Sequence, residues 1–236
     1  MKNNAVTILE LVAQLGMPIP CEYPDGIAGD FLKDHANQPL SLLLGAIAMY
    51  GSNAPWSLPY LLATRLEMDR FDAKTLAERD ETELRQAIGC KPSLHVDSLK
   101  MGRWISQVGK VIVGQYSGEV SWIWDNYRRM DATRLVERLK GIPGIGTVKA
   151  LVFAFLLNRD WGADIVGWDK FVMPMDPSML EVSRRLGIGI SFPRADPEQL
   201  VKIYEGFRSI VKRYCALDGP HCEVCPLSKK CLKQGV

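Results

Sequence analysis

Leu139-Lys140-Gly141-Ile142-Pro143-Gly144-Ile145-Gly146-Thr147-Val148-Lys149-Ala150 sets two glycines around one apolar residue, between two segments of helical period. Glycine permits the positive φ angles and close backbone approach of a very tight turn. With no side chains in the way, the amides of such a hairpin and the N-terminus of the next helix can grip a phosphate. That grip ignores base sequence. Ile142 and Ile145 are placed to anchor the hairpin in a core. A bare Gly-x-Gly would read as an ordinary connection between helices. The full Ile-Pro-Gly-Ile-Gly string favours DNA contact through Gly144, Ile145, Gly146, Thr147 and Lys149.

Outward from the hairpin, nearly every segment has helical period. Ala132 to Leu139 precedes it and Thr147 to Asn158 follows. Val6 to Leu15 places Ile8, Leu11, Val12 and Leu15 on one face. Residues 17–37, rich in Pro, Gly and Asp, read as a loop. Helices are expected over Leu40 to Tyr50, Pro59 to Leu66, Glu81 to Ile88, Ser98 to Gln115, Pro177 to Leu186 and Glu198 to Tyr214. Val111-Ile112-Val113 hints at strand but lies inside a helical pattern. The fold class is all-α.

The chain has 236 residues, 47% hydrophobic and 24% charged, enough to bury a core as one large domain or two small ones. No apolar run reaches the ~20 residues that cross a bilayer. The opening Met1-Lys2-Asn3-Asn4-Ala5-Val6 has no secretory pattern, so a cytoplasmic, nucleoid-associated location is expected, without membrane contact. The net charge of +2 says little, but residues 200–236 carry seven Lys/Arg against three acids, Lys229 and Lys230 among them. Such an end is either a solvated surface or, beside a phosphate-binding motif, part of a nucleic-acid footprint.

Cys215-x6-Cys222-x2-Cys225-x5-Cys231 gathers four of the six cysteines in the last 22 residues. Without an export signal, such crowding argues for a metal site over disulfides. Four thiolates can hold zinc or a [4Fe–4S] cluster. Zinc sites usually show two short pairs; here one short pair has two longer reaches. Cys21 and Cys90 stand alone and read as buried or incidental thiols.

Gly162, Gly167, Pro174 and Pro177 punctuate a loop that ends in Met173-Pro174-Met175-Asp176-Pro177-Ser178, with a helix directly after. Asp before Pro is a good N-cap. A carboxylate here can also stabilise positive charge building on a bound group and orient a water. The two roles are compatible. Asp164 and Asp169 are the rival carboxylates.

The hairpin, the Asp loop running into Val182-Ser183-Arg184-Arg185-Leu186-Gly187, and the cysteine loop occur in the order found in the helix-hairpin-helix, Gly/Pro-Asp superfamily of DNA glycosylases, which this chain resembles over about residues 38–231. The cysteine spacing equals that of the cluster loop in the endonuclease III and adenine-glycosylase branch. The resemblance implies a [4Fe–4S] cluster on Cys215, Cys222, Cys225 and Cys231, with Asp176 as catalytic carboxylate. It also implies two helical subdomains with a DNA-binding cleft: residues 1–37 plus 177–236 with the cluster, and residues 38–176 with the hairpin. Bifunctional members carry a Schiff-base lysine two residues after the last hairpin glycine. Here that residue is Val148. Lys149 is one step on, turned by about 100°, so it should point away from the pocket. The expectation is a monofunctional glycosylase, acting as a monomer on double-stranded DNA with a damaged or mismatched base. The alternatives are a bifunctional glycosylase/lyase using Lys149, or a non-catalytic iron–sulfur DNA-binding protein.

Three departures leave the substrate open: about ten extra residues between hairpin and Asp176, Pro177-Ser178 in place of Thr-His, and no Gln in Met49-Tyr50-Gly51-Ser52-Asn53. In the family that loop supplies the side chain that fills the gap left by a flipped base; packing for Tyr50 and capping for Asn53 are the structural readings. Of six tryptophans, Trp168 is the candidate base-stacking face and the rest read mostly as core. His35, His95 and His221 read as surface residues.

Overall fold

The computed structural model describes residues 2–15, 23–188, 196–215 and 220–232. In chain order the helices are α1 (Lys2–Gln14), α2 (Gly26–Lys33), α3 (Gln38–Ala48), α4 (Leu58–Arg65), α5 (Ala73–Glu78), α6 (Glu81–Gly89), α7 (Ser98–Tyr116), α8 (Ala132–Lys140), α9 (Thr147–Asp160), α10 (Pro177–Arg185) and α11 (Pro197–Arg213). Strands β1 (Met130–Asp131) and β2 (Ile165–Val166) form a two-residue ladder. The all-α expectation holds apart from that ladder, and Val111-Ile112-Val113 is helical within α7. None of the described helices is long and apolar enough to cross a membrane.

The chain divides into two compact units, one of Pro20–Met130 and Arg134–Asp164, the other of Met1–Ile19, Asp131–Thr133 and Ile165–Val236. In the first, α3 is buried along its length from Leu40 to Ala48, and α9 from Ala150 to Leu157. Apolar side chains on all faces mark both as core helices. The side chains of Asp72, Asp80 and Asp97 cap α5, α6 and α7 by accepting from the first-turn amides. Helices α5 and α6 then pack on α7 so tightly that a Cβ on Gly109 would lie 2.6 Å from the Ala77 amide nitrogen.

Helix α2 corrects the reading of residues 17–37 as a loop. With Gly26, Gly29 and only eight residues, it has poor intrinsic propensity and too few apolar positions to show a period. Burial of Gly29 and Leu32 stabilises it. The six-residue α5 escaped for the same reason.

In the second unit α1 and α10 pack on α11. A Cβ on Gly206 would sit 1.9 Å from the Val12 carbonyl oxygen, so α1 and α11 touch backbone to backbone. Asp196 and Gln199 close a capping box at the start of α11, with Pro197 as its first residue.

Candidate functional site

Helix α8 ends at Lys140, and the turn closes through Ile142 N–H to Leu139 O and Ile145 N–H to Ile142 O, each 3.0 Å. Ile142 and Ile145 are buried, as anchoring requires. Gly144 has φ +83° and no room for a side chain: a Cβ would meet Ile47 Cγ2 at 2.8 Å and Trp104 Cδ2 at 2.9 Å. Gly146 precedes α9 in extended conformation with no side-chain cap, and nothing lies within 4 Å of where its Cβ would be. No side chain caps the first amides of α9, at the positive end of a fourteen-residue helix. That is an anion-binding geometry. A groove of 580 Å³ beside it is lined by Trp104, Gln107 and residues 140–146 with Lys149.

Val148 is half-buried on α9. The Lys149 ammonium donates to the Ile47 carbonyl and, at 3.1 Å, to the Gly144 carbonyl, and lies 5.1 Å from the centre of the Trp104 ring. Burial lowers its pKa from 10.5 to about 8. The phosphate contact expected of it from sequence would compete with those two carbonyls. His95 is buried, which corrects its assignment to the surface. Its Nδ1 accepts from the Asp97 amide at 3.0 Å, and the ring lies against Gly51, where a Cβ would meet Nε2 at 2.0 Å. Burial holds its pKa below the usual value, with the Lys149 charge acting in the same direction. The packing against Gly51 was not legible in the sequence, because the two residues lie 44 positions apart. His35 and His221 are exposed as expected. So is Asn53, and Ser57, not Asn53, precedes α4. Tyr50 is 36% exposed and so is not core.

In the other unit, exposed Asp176 is the N-cap of α10, accepting from the Met179 amide at 2.9 Å, with Pro177 behind it. One carboxylate oxygen is engaged in that bond; Asp164 and Asp169 are exposed and cap no helix. Buried Tyr204 of α11 was not picked out from sequence. Its hydroxyl pKa is pushed up to about 12 by burial and by the nearby Asp176 charge. Trp168 is buried beside Phe171, their rings 5.7 Å apart, which removes it as a stacking face. Trp122 is the exposed tryptophan, at 44%.

Cys215, Cys222, Cys225 and Cys231 lie in this unit as half-buried cysteines outside any disulfide. Cys21 and Lys233 fall outside the described residues, and Cys90 is exposed. Burial raises the Cys215 pKa, as does the charge of each of the other three cysteines, while Arg185 opposes. Among the described residues no three His, Cys, Asp or Glu converge as they would around one metal ion. The Cys215 thiol is close enough to the other three to feel their charge. Four thiolates are a donor set that fits either zinc or a [4Fe–4S] cluster. Arg185 closes α10 against this loop: its guanidinium reaches Cys215, and its carbonyl accepts from the Leu232 amide at 2.7 Å. Both Arg184 and Arg185 bind Glu181, whose pKa falls to about 2 as a result. Lys229 and Lys230 form an exposed 3-10 turn over buried Leu227.

No protein-family model and no curated protein matches the chain. Among solved structures, its fold is that of endonuclease III: a trapped covalent endonuclease III–DNA intermediate aligns with TM-score 0.50 and 18% identity over 98% of this chain and 95% of that one. A non-covalent endonuclease III–DNA complex aligns at 0.48 and 16% over 98% and 95%. A thermostable thymine-DNA glycosylase aligns at 0.44 and 16% over 98% and 96%.

Proposed function

We propose that the chain is a monofunctional DNA glycosylase that hydrolyses the N-glycosidic bond of a damaged or mismatched base in duplex DNA. The observation that carries this reading is the uncapped start of α9 behind the Gly144 turn, an anion seat in a chain with the fold of endonuclease III. On this reading the amides at Gly146, Thr147 and Val148 hold a backbone phosphate without regard to sequence. Lys229 and Lys230 add charge from the cysteine loop.

Asp176 acts on the flipped nucleotide. As the base departs, positive charge grows on the sugar, and the carboxylate stabilises it and orients the attacking water. One carboxylate oxygen is fixed by the Met179 amide, so the other has a defined direction. Cys215, Cys222, Cys225 and Cys231 would hold a [4Fe–4S] cluster, whose irons, bound by these four thiolates, would staple the Lys229–Lys230 loop. Hydrolysis of the glycosidic bond needs no electron.

One observation favours a lyase step: a lysine with pKa about 8 is partly neutral near physiological pH and so nucleophilic. Against it, the Lys149 amine is committed to two carbonyls, and Val148 holds the position the resemblance gives to the nucleophile. Base release from duplexes that each carry one modified base, measured with borohydride present, tests the reading. Free base without a trapped adduct is expected. An adduct abolished by Lys149→Ala would establish the lyase, and tight binding without base release a non-catalytic binder.

A further inference from the structure

The first unit contains a brace that its hairpin chemistry does not require. A helix leaves its last four carbonyls without intrahelical partners. At the end of α3, the Ala46 carbonyl accepts from Met49 N–H and the Ala48 carbonyl from Gly51 and Ser52 N–H. The Ile47 carbonyl is taken by Lys149, 102 residues away in sequence. The same ammonium holds Gly144 O at the apex of the hairpin and stacks on Trp104. Among the described residues, no carboxylate forms an ion pair with it. Its bonds go to backbone, at the negative end of the α3 dipole.

Beyond α3 the chain enters residues 49–53. Gly51 O accepts from Val96 N–H at 2.8 Å, and the His95 ring fills the space over Gly51. One connected path thus runs from Gly144 through Lys149 to Ile47, the loop and His95. No slack remains at its hairpin end, where Ile47 and Trp104 already crowd Gly144.

We propose that Lys149 is a positioning residue that couples the hairpin to the loop at 49–53, so that seating a phosphate on the hairpin also orders the loop. The inference rests on the reading of the hairpin as a duplex contact. Exposed Tyr50 and Asn53 are the side chains such ordering presents to the same DNA. Phosphate contact by Lys149 itself is a different role, and the two separate by experiment.

Amide hydrogen exchange on the full chain, with and without an undamaged DNA duplex, reads the coupling directly. In the wild type, duplex is expected to slow exchange at 141–147 and, by about fivefold or more, at 49–53. Lys149→Met should keep the first effect and lose the second, and Lys149→Arg should restore it. Lys149→Gln, with one amide donor group, should give a partial loss and serves if the Met variant does not fold cooperatively. Unchanged exchange at 49–53 in the wild type, or equal slowing in the Met variant, would overturn the coupling alone. Loss of slowing at 141–147 in Lys149→Met would show a phosphate contact instead. No slowing anywhere in the wild type would remove the duplex reading and the coupling with it.

Discussion

Lys149 and His95 both bury titratable groups, and both leave a signature in pH. The folded pKa of Lys149 is about 8, below its ordinary 10.5. Between those values the unfolded chain binds more protons, so this residue's contribution to stability rises with pH there. The melting temperature of the wild type should therefore gain on that of Lys149→Met as pH is raised from about 7.5 to about 10. A constant difference would mean that the amine is not desolvated. His95 behaves in the acid range. Its folded pKa is lowered by burial, so the unfolded state takes up a proton first as pH falls below about 6.5. Stability is lost there, and His95→Gln should flatten that slope in thermal melts across pH 7 to 5. Neither residue was assigned these roles from sequence. The burial of His95 follows from Gly51, 44 positions away, and Lys149 was read from sequence as a DNA contact or an alternative nucleophile.

At the scale of elements, the hairpin was the most legible part of the chain. Its glycines have distinct duties that local sequence encodes. Gly144 carries the positive φ and the tight packing, whereas Gly146 starts α9 with no side-chain cap and open space at its Cβ position. Gly144→Ala should cost about 2–4 kcal/mol in denaturant melts, from left-handed strain plus collision with Ile47 and Trp104. Gly146→Ala should cost under about 1 kcal/mol, yet weaken duplex binding, because its methyl stands where a phosphate would sit. Equal losses from both in a paired melt and titration would remove the distinction. Capping was partly readable too. Asp176 before Pro177 predicted the start of α10. Short α2 and α5 were not readable. Six or eight residues hold too few apolar positions for a period, and contacts made elsewhere in the unit hold them in place.

For the whole molecule, an all-helical fold with the architecture of endonuclease III was legible from three local strings: the hairpin, the Asp loop and the cysteine spacing. Each is encoded within fewer than about twenty consecutive residues. The roles of Trp168 and Trp122 were not legible, because an indole's exposure is decided by what packs over it. Nor does a sequence of thiols fix their metal. Iron analysis of protein purified without oxygen should give about four iron atoms per chain, lost in Cys225→Ser together with ordered contact by Lys229 and Lys230. One zinc per chain would contradict the cluster. The central claim, that this hairpin and Asp176 together excise a base, meets its most direct test in single-turnover strand scission. A panel of duplexes, each with one modified base, is read with and without hot alkali for the wild type and Asp176→Asn. The account predicts scission only after alkali on at least one duplex, slowed about 100-fold or more in the Asn variant while binding persists. Scission by Asp176→Asn at the wild-type rate would contradict it.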